Sequence, residues 1–214
     1  MIEIIKSAAA EIKPDPKEVA VYLGYYSANN VDKNLIEECI AEFQNAACYM
    51  ACIAKVPVTI CEDVDIGFMK ACINSLCKNL DGCSHAYILA ATTGFDAQRL
   101  IERNTLISPL RGIVTDCVGS AAIEAFCDKI NSSVENCDFL RPRFSPGYGD
   151  LPIDCQKKIV DFLDTKKNIG LTLTDSMMMT PVKSVTAIIG IGNDKNKCTG
   201  PGCMICRKAD CPYR

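Results

Sequence analysis

The sequence predicts a mixed α/β or α+β domain, and three observations carry that expectation. Segments of helical and of strand periodicity alternate irregularly along the chain, which favours mixed layers over a regular doubly wound sheet. The 214 residues fit one domain with at most a small appendage, enough chain to bury a sizeable core. Apolar residues make up 49% of the chain and charged residues 23%, the balance of an ordinary globular protein with no signature of disorder.

Taken in order, the elements follow from local signals. Asp15 and Pro16 form an N-cap and first-turn pair, so a short helix starts there, runs toward Leu23 and ends at Gly24. Leu35, Ile36, Cys39, Ile40 and Phe43 recur at helical spacing, which predicts an amphipathic helix over 32–44 with Glu37, Glu38 and Glu42 turned outward. Val56, Val58 and Ile60 alternate as in a strand, and the preceding AACYMACIA reads as a second strand paired with it. A short helix is expected near 75–81, and HAYILAATTG, residues 85–94, reads as a buried strand ending in a glycine turn. The longest helical stripe joins Leu110, Ile113, Val114, Cys117, Val118, Ala121, Ala125 and Phe126, and Gly119 to Ala121 keep its middle thin, which lets another backbone or a ligand approach closely, helix packing being the commoner use. Pro152 opens another helix with Ile153, Ile159, Phe162 and Leu163 on one side, and strands are expected near 169–175 and 182–191.

Charge and composition narrow the function. A net charge of −3 and 7% aromatics offer neither an electrostatic footprint nor stacking platforms for nucleic acid. Glu3 and Lys6 interrupt what would be the apolar run of a signal peptide, and Lys55 and Pro57 break the longest apolar stretch before it reaches the length of a bilayer span. The expectation is a cytoplasmic protein with no membrane partner, and a reducing cytosol turns fifteen cysteines toward burial, metal or redox roles instead of disulfides. Eleven of them lie along the body, mostly beside apolar neighbours, and read as small buried hydrophobes. The other four, Cys198, Cys203, Cys206 and Cys211, fall in the last seventeen positions with the spacing C-x4-C-x2-C-x4-C. Four thiolates on such a loop suit a tetrahedral zinc or an iron–sulfur cluster; the Cys-Pro ending resembles bacterial ferredoxins, and zinc ribbons usually carry a longer spacer. The chain thus divides into a body, 1–192, and a cysteine-rich metal-binding tail, 193–214.

RPRFSPGYGDLPIDCQ, residues 141–156, is the stiffest stretch of the body. Pro146 fixes its φ and Gly147 permits a positive one, so the pair makes a tight turn able to expose backbone N–H and C=O groups, with Arg143 placed to clamp a carboxylate. That combination suits an amino-acid-like ligand; a plain surface turn with a salt-bridged arginine is the alternative.

Arg143-x-x-x-Gly147-Tyr148, then Ile169-Gly170-Leu171-Thr172-Leu173-Thr174-Asp175-Ser176, then Met179-x-Pro181-x-x-Ser184-Val185, resemble the activation domain of cobalamin-dependent methionine synthase. The likeness is strongest over 139–191; a looser one, including Tyr22-Leu23-Gly24-Tyr25 and the helix 109–131, extends over most of the body as in short freestanding members. The resemblance implies a twisted, mainly antiparallel sheet with flanking helices. It also implies S-adenosylmethionine binding, with Arg143 on the carboxylate of the methionine moiety and Ser145, Pro146, Gly147 and Tyr148 holding the rest. Asp175 stands where a glutamate is common and joins the expected binding residues. In the family, the bound ligand remethylates a cobalamin that has been oxidised to Co(II), after one-electron reduction. Gly149-Asp150-Leu151-Pro152 replaces the usual Pro-x-Cys-Pro after Gly-Tyr, and the corrinoid-binding Asp-x-His-x-x-Gly signature is absent; His85 reads as a strand-end residue. The expected partner is therefore a separate corrinoid protein, methionine synthase or a relative, that presents cobalamin in trans, with the tail a candidate for electron delivery. The competing reading is a non-enzymatic metal-binding electron carrier or adaptor. An ordinary S-adenosylmethionine methyltransferase would show an early glycine-rich turn, whereas Gly190-x-Gly192 comes late. Met177 to Met179 read as core filler.

Overall fold

Three long strands form the centre of the molecule because they are apolar on both faces: β2, Tyr49–Pro57, β6, Cys83–Thr92, and β10, Ser184–Gly192. The computed structural model describes residues 1–24, 32–135 and 139–192. With β1, Ile2–Ser7, and β7, Phe139–Leu140, these strands make a five-stranded sheet in the order β1-β2-β6-β10-β7, and every neighbouring pair is antiparallel. The α+β class and the antiparallel sheet stand as expected.

Alternation sends the strands' side chains into two cores. Tyr49, Ala51, Ile53, Leu89, Ala91, Ala187, Ile189 and Ile191 face one side. There they meet α1, Pro16–Tyr22, α2, Lys33–Ala46, α4, Phe95–Ile107, and α5, Pro109–Glu135. Cys52, Ala54, Val56, Ala86, Ile88, Ala90 and Ile188 face the other side. That core is closed by α3, Asn74–Asn79, α6, Cys155–Phe162, α7, Thr165–Ile169, and a small antiparallel sheet of β3, Thr59–Ile60, β4, Val64–Asp65, and β5, Lys70–Ala71. A two-stranded ribbon, β8, Thr172–Leu173, with β9, Met179–Thr180, completes the chain before β10.

Several local expectations hold. The Asp15 and Asp32 carboxylates cap α1 and α2 by accepting the amides of Lys17 and Asn34 at 2.8 and 2.9 Å. Gly119 lies against the Phe43 ring and the stem of Lys183, so the thin face of α5 serves packing. His85 stands on β6 with its Nδ1 3.1 Å from the Ser84 hydroxyl, a structural place.

Others are corrected. Residues 46–60 do not form a hairpin of two strands: β2 runs unbroken from Tyr49 through Lys55 to Pro57, and Val58 and Ile60 lie beyond it. A strand buried on both faces has no polar alternation to mark its extent, so its continuation past Lys55 carries the signal of a separate strand. Of residues 169–175, Ile169 ends α7, Gly170 is its left-handed exit, and only Thr172–Leu173 lie in a strand. Helix α6 starts at Cys155, not at Pro152, and Ile153 is exposed. Helix α4 leaves no apolar stripe in the sequence, because only Ala97, Leu100 and Asn104 are buried along its thirteen residues, one of them polar. Asn104 donates to Glu42 Oε2 and Thr115 Oγ1, both at 3.0 Å, and Arg111 reaches Glu42 at 2.7 Å and Glu38 at 3.1 Å, binding α2, α4 and α5 through polar contacts.

Candidate functional site

The segment carrying Arg143 is the outer edge of the main sheet. Arg141 N–H donates to the Gly190 carbonyl at 2.8 Å, and Phe144 and Ile188 exchange two backbone bonds of 2.9 and 2.8 Å, so the chain past β7 keeps following β10. Neighbouring side chains of an extended segment point to opposite faces. Arg143 accordingly turns to the long helix α5, while Phe144 packs on the core under α3 and α6.

Arg143 is 19% exposed and sits between two carboxylates one helical turn apart, with Nη2 2.6 Å from Glu124 Oε2 and Nη1 2.6 Å from Asp128 Oδ1. Burial opposes its charge, but the carboxylates outweigh burial and hold the guanidinium firmly protonated. Beneath it Cys127 is fully buried, and burial pushes its thiol up to about 12, so it is neutral there. Partial burial, and then the charges of Asp128, Asp15 and Glu124, raise Glu18 above the ordinary glutamate range. The locality around Arg143 therefore holds more negative charge than the arginine neutralises.

After Phe144 the chain closes on itself. Tyr148 N–H donates to the Ser145 carbonyl at 3.0 Å, Leu151 N–H to Tyr148 at 3.0 Å, and Gly147 N–H to Leu151 at 2.9 Å. Gly147 and Gly149 have φ of +91° and +55°, which this path needs. Ser145 is half-buried, Pro146 buried, and Tyr148 58% exposed with its ring edge-on to Phe144 at 6.2 Å between centroids. Two amides that the motif was expected to offer a ligand, those of Gly147 and Tyr148, are thus spent inside the turn; its carbonyls at Pro146 and Gly147 accept no bond from the described residues. Asp175 is exposed on the β8–β9 turn, which Gln156 of α6 steadies by donating to the Met177 carbonyl at 2.8 Å, and among the described residues no hydrogen bond or ion pair joins it to Arg143 or the Gly147-Tyr148 turn.

The structure adds Glu124 and Asp128, which the motif did not contain. Their signal was available as an acidic pair at i, i+4 beside the apolar stripe that predicts the helix. Among the described residues no group of three or more metal-ligating side chains is placed to hold an ion, and no helix is long and apolar enough to cross a membrane. Cys198, Cys203, Cys206 and Cys211 lie outside the described residues.

No curated protein matches the chain. A family model described as vitamin B12 dependent methionine synthase, activation domain, matches residues 112–197, a span that holds most of α5, the Arg143 segment and β8 to β10. Among solved structures, the chain is similar to one described as the crystal structure of the MetH reactivation domain bound to AdoHcy, with 15% identity and a TM-score of 0.64 over 91% of this chain and 79% of that one. The chain thus has the fold of the MetH reactivation domain and, over residues 112–197, the sequence pattern of vitamin B12-dependent methionine synthase activation domains.

Proposed function

We propose that this chain binds S-adenosylmethionine at the Arg143–Tyr148 segment and supports reductive remethylation of cobalamin presented by a separate corrinoid protein. The observation that carries the reading is Arg143, held by Glu124 and Asp128 four residues before the Gly147-Tyr148 turn, inside the span that matches the activation-domain family. The similarity to a domain whose structure is described with AdoHcy bound supports the ligand class.

The residues present fit such a ligand. A guanidinium has five N–H donors, and the two carboxylates use two of Arg143's, so donors remain for the ligand's carboxylate. The surplus negative charge around Glu18, Glu124 and Asp128, with the free carbonyls of Pro146 and Gly147, suits the ammonium and sulfonium charges. The exposed Tyr148 ring offers a flat apolar face to an adenine. S-adenosylmethionine supplies the methyl group; this chain's residues bind it, orient it and neutralise its charges. Asp175, on the β8–β9 turn, completes the proposed set of binding residues.

In this reading residues 1–192 are the ligand-binding body and 193–214 a tail whose four cysteines hold zinc or an iron–sulfur cluster, the latter suited to delivering the electron. The ten described cysteines are free thiols, which accords with a cytoplasmic setting. Calorimetric titration of S-adenosylmethionine and S-adenosylhomocysteine into anaerobically prepared protein tests the body, with Arg143→Ala expected to abolish binding and Arg143→Lys to retain a weak remnant. Absence of binding by the intact protein, alone and with added corrinoid protein, would leave the metal-carrying adaptor as the better account. Iron, acid-labile sulfide and zinc analysis of the same preparation decides the tail.

A further inference from the structure

The turn Gly147-Tyr148-Gly149-Asp150 meets α3 through one side chain of unusual placement. Helix α3 begins after Ile73, which has no side-chain acceptor for the first free amides. Asp150 supplies that acceptor from the far side of the sequence: Asn74 N–H donates to its Oδ2 at 2.9 Å and Ser75 N–H to its Oδ1 at 3.0 Å. Both carboxylate oxygens are thereby engaged, and a negative charge sits where the helix dipole favours one. The Ser75 amide foremost holds the carboxyl below the usual aspartate range.

The same helix grips the segment at its other end. Asn79 Nδ2 donates to the Pro142 carbonyl at 3.3 Å, and Arg141 Nη2 donates to the Asp81 carbonyl at 2.7 Å. Residues 141–150 are therefore strapped along 74–81 at both ends, and α3 is itself anchored by Leu76 and Leu80, neither of which is exposed. Leu151, buried to 1%, fixes the chain directly after the latch.

We infer that Asp150 is a positioning residue for the ligand turn: seated on α3, it fixes where Gly147 and Tyr148 stand and so sets the affinity of the site. The inference rests on the binding function proposed above for that turn. Displacing a recognition element by about 1 Å is enough to lose much of its contribution, and Asp150 lies within three residues of both groups.

Two measurements on the full chain test it. In calorimetry, Asp150→Ala should weaken S-adenosylmethionine about tenfold, the effect of losing one good cap, with far-ultraviolet circular dichroism unchanged. Asp150→Asn, which keeps one acceptor oxygen, should fall between and serves also if the alanine variant does not fold. The second measurement needs no ligand. The chain has no tryptophan, so Tyr148→Trp places a single reporter in the turn, and adding Asp150→Ala should raise its acrylamide quenching about twofold as the turn loosens. Equal affinities in the wild-type and Asp150→Ala proteins, or unchanged quenching, would overturn the inference. If the wild-type protein binds no S-adenosylmethionine, the functional reading fails on that result, and the quenching comparison alone decides whether Asp150 holds the turn.

Discussion

A β-carbon on Gly149 would lie 2.5 Å from the Ser75 hydroxyl oxygen and 2.7 Å from the Ser75 β-carbon, so the turn from Gly147 to Asp150 and the first turn of α3 meet where glycine alone fits. Gly149→Ala must push the two apart and also place a side chain at a φ of +55°, and we expect a loss of about 1–3 kcal/mol. Combining it with Ser75→Gly removes both colliding atoms and should recover a substantial part. A urea-denaturation double-mutant cycle measures this; simple additivity would show that the two segments do not press on each other.

Arg143→Ala should cost about 1–2 kcal/mol, because it leaves Glu124 and Asp128 facing each other without their shared cation in a partly open site. Glu124→Ala on the Arg143→Ala background should then cost much less than on the wild type, with a coupling of about 1 kcal/mol. Chemical denaturation of the four proteins reads it. A coupling indistinguishable from zero would mark the pair as energetically idle.

Glu18 gives a pH signature. Its carboxyl is raised in the folded chain, so the folded state binds its proton more readily than the unfolded state, and ionised Glu18 is a burden above its folded pKa. Glu18→Gln should therefore raise Tm near neutral pH, and the advantage should fade as the pH falls through the raised pKa and vanish below the ordinary glutamate value. Thermal melts from pH 3 to pH 8 test the sign. A benefit that persists at low pH would assign the effect to something other than charge.

Thiol reactivity should separate the cysteines by place. Cys48, Cys61 and Cys72 are exposed, whereas Cys39, Cys52 and Cys127 are buried, and burial pushes the last two thiols up to about 12. Iodoacetamide on the native protein should alkylate the first group on the order of a hundredfold faster than the second, by peptide mapping, and unfolding should erase the difference. Rapid native labelling of Cys127 would contradict its seat beneath Arg143.

How much of this was legible in the sequence depended on whether the signal was local. The Asp15-Pro16 cap, the strand at His85 to Thr92 and the long stripe around Val114 to Phe126 announce themselves within one or two turns of chain. Strand β2 does not, because burial on both faces erases the alternation that would have shown its length, and α4 hides because it buries an asparagine as part of its core face. The turn at Gly147 was readable from its Pro-Gly pair. The use of its amides was not, since that depends on where the Leu151 carbonyl comes to rest. Asp150 was visible only as a departure from the family pattern; its role needs Asn74 and Ser75, about 75 positions away, brought beside it by the fold.

The segment from Phe139 to Phe144 covers the flank of β10, and this gives it a duty independent of any ligand. Without it, the Ile188 and Gly190 backbone groups that now pair with Phe144 and Arg141 would lie along an open strand edge of Ile-rich chain, a template for another molecule to extend. Any change that frees the segment to move uncovers that edge and its unpaired backbone groups. The order of residues 139–144 thus closes the sheet through backbone bonds that no ligand takes part in.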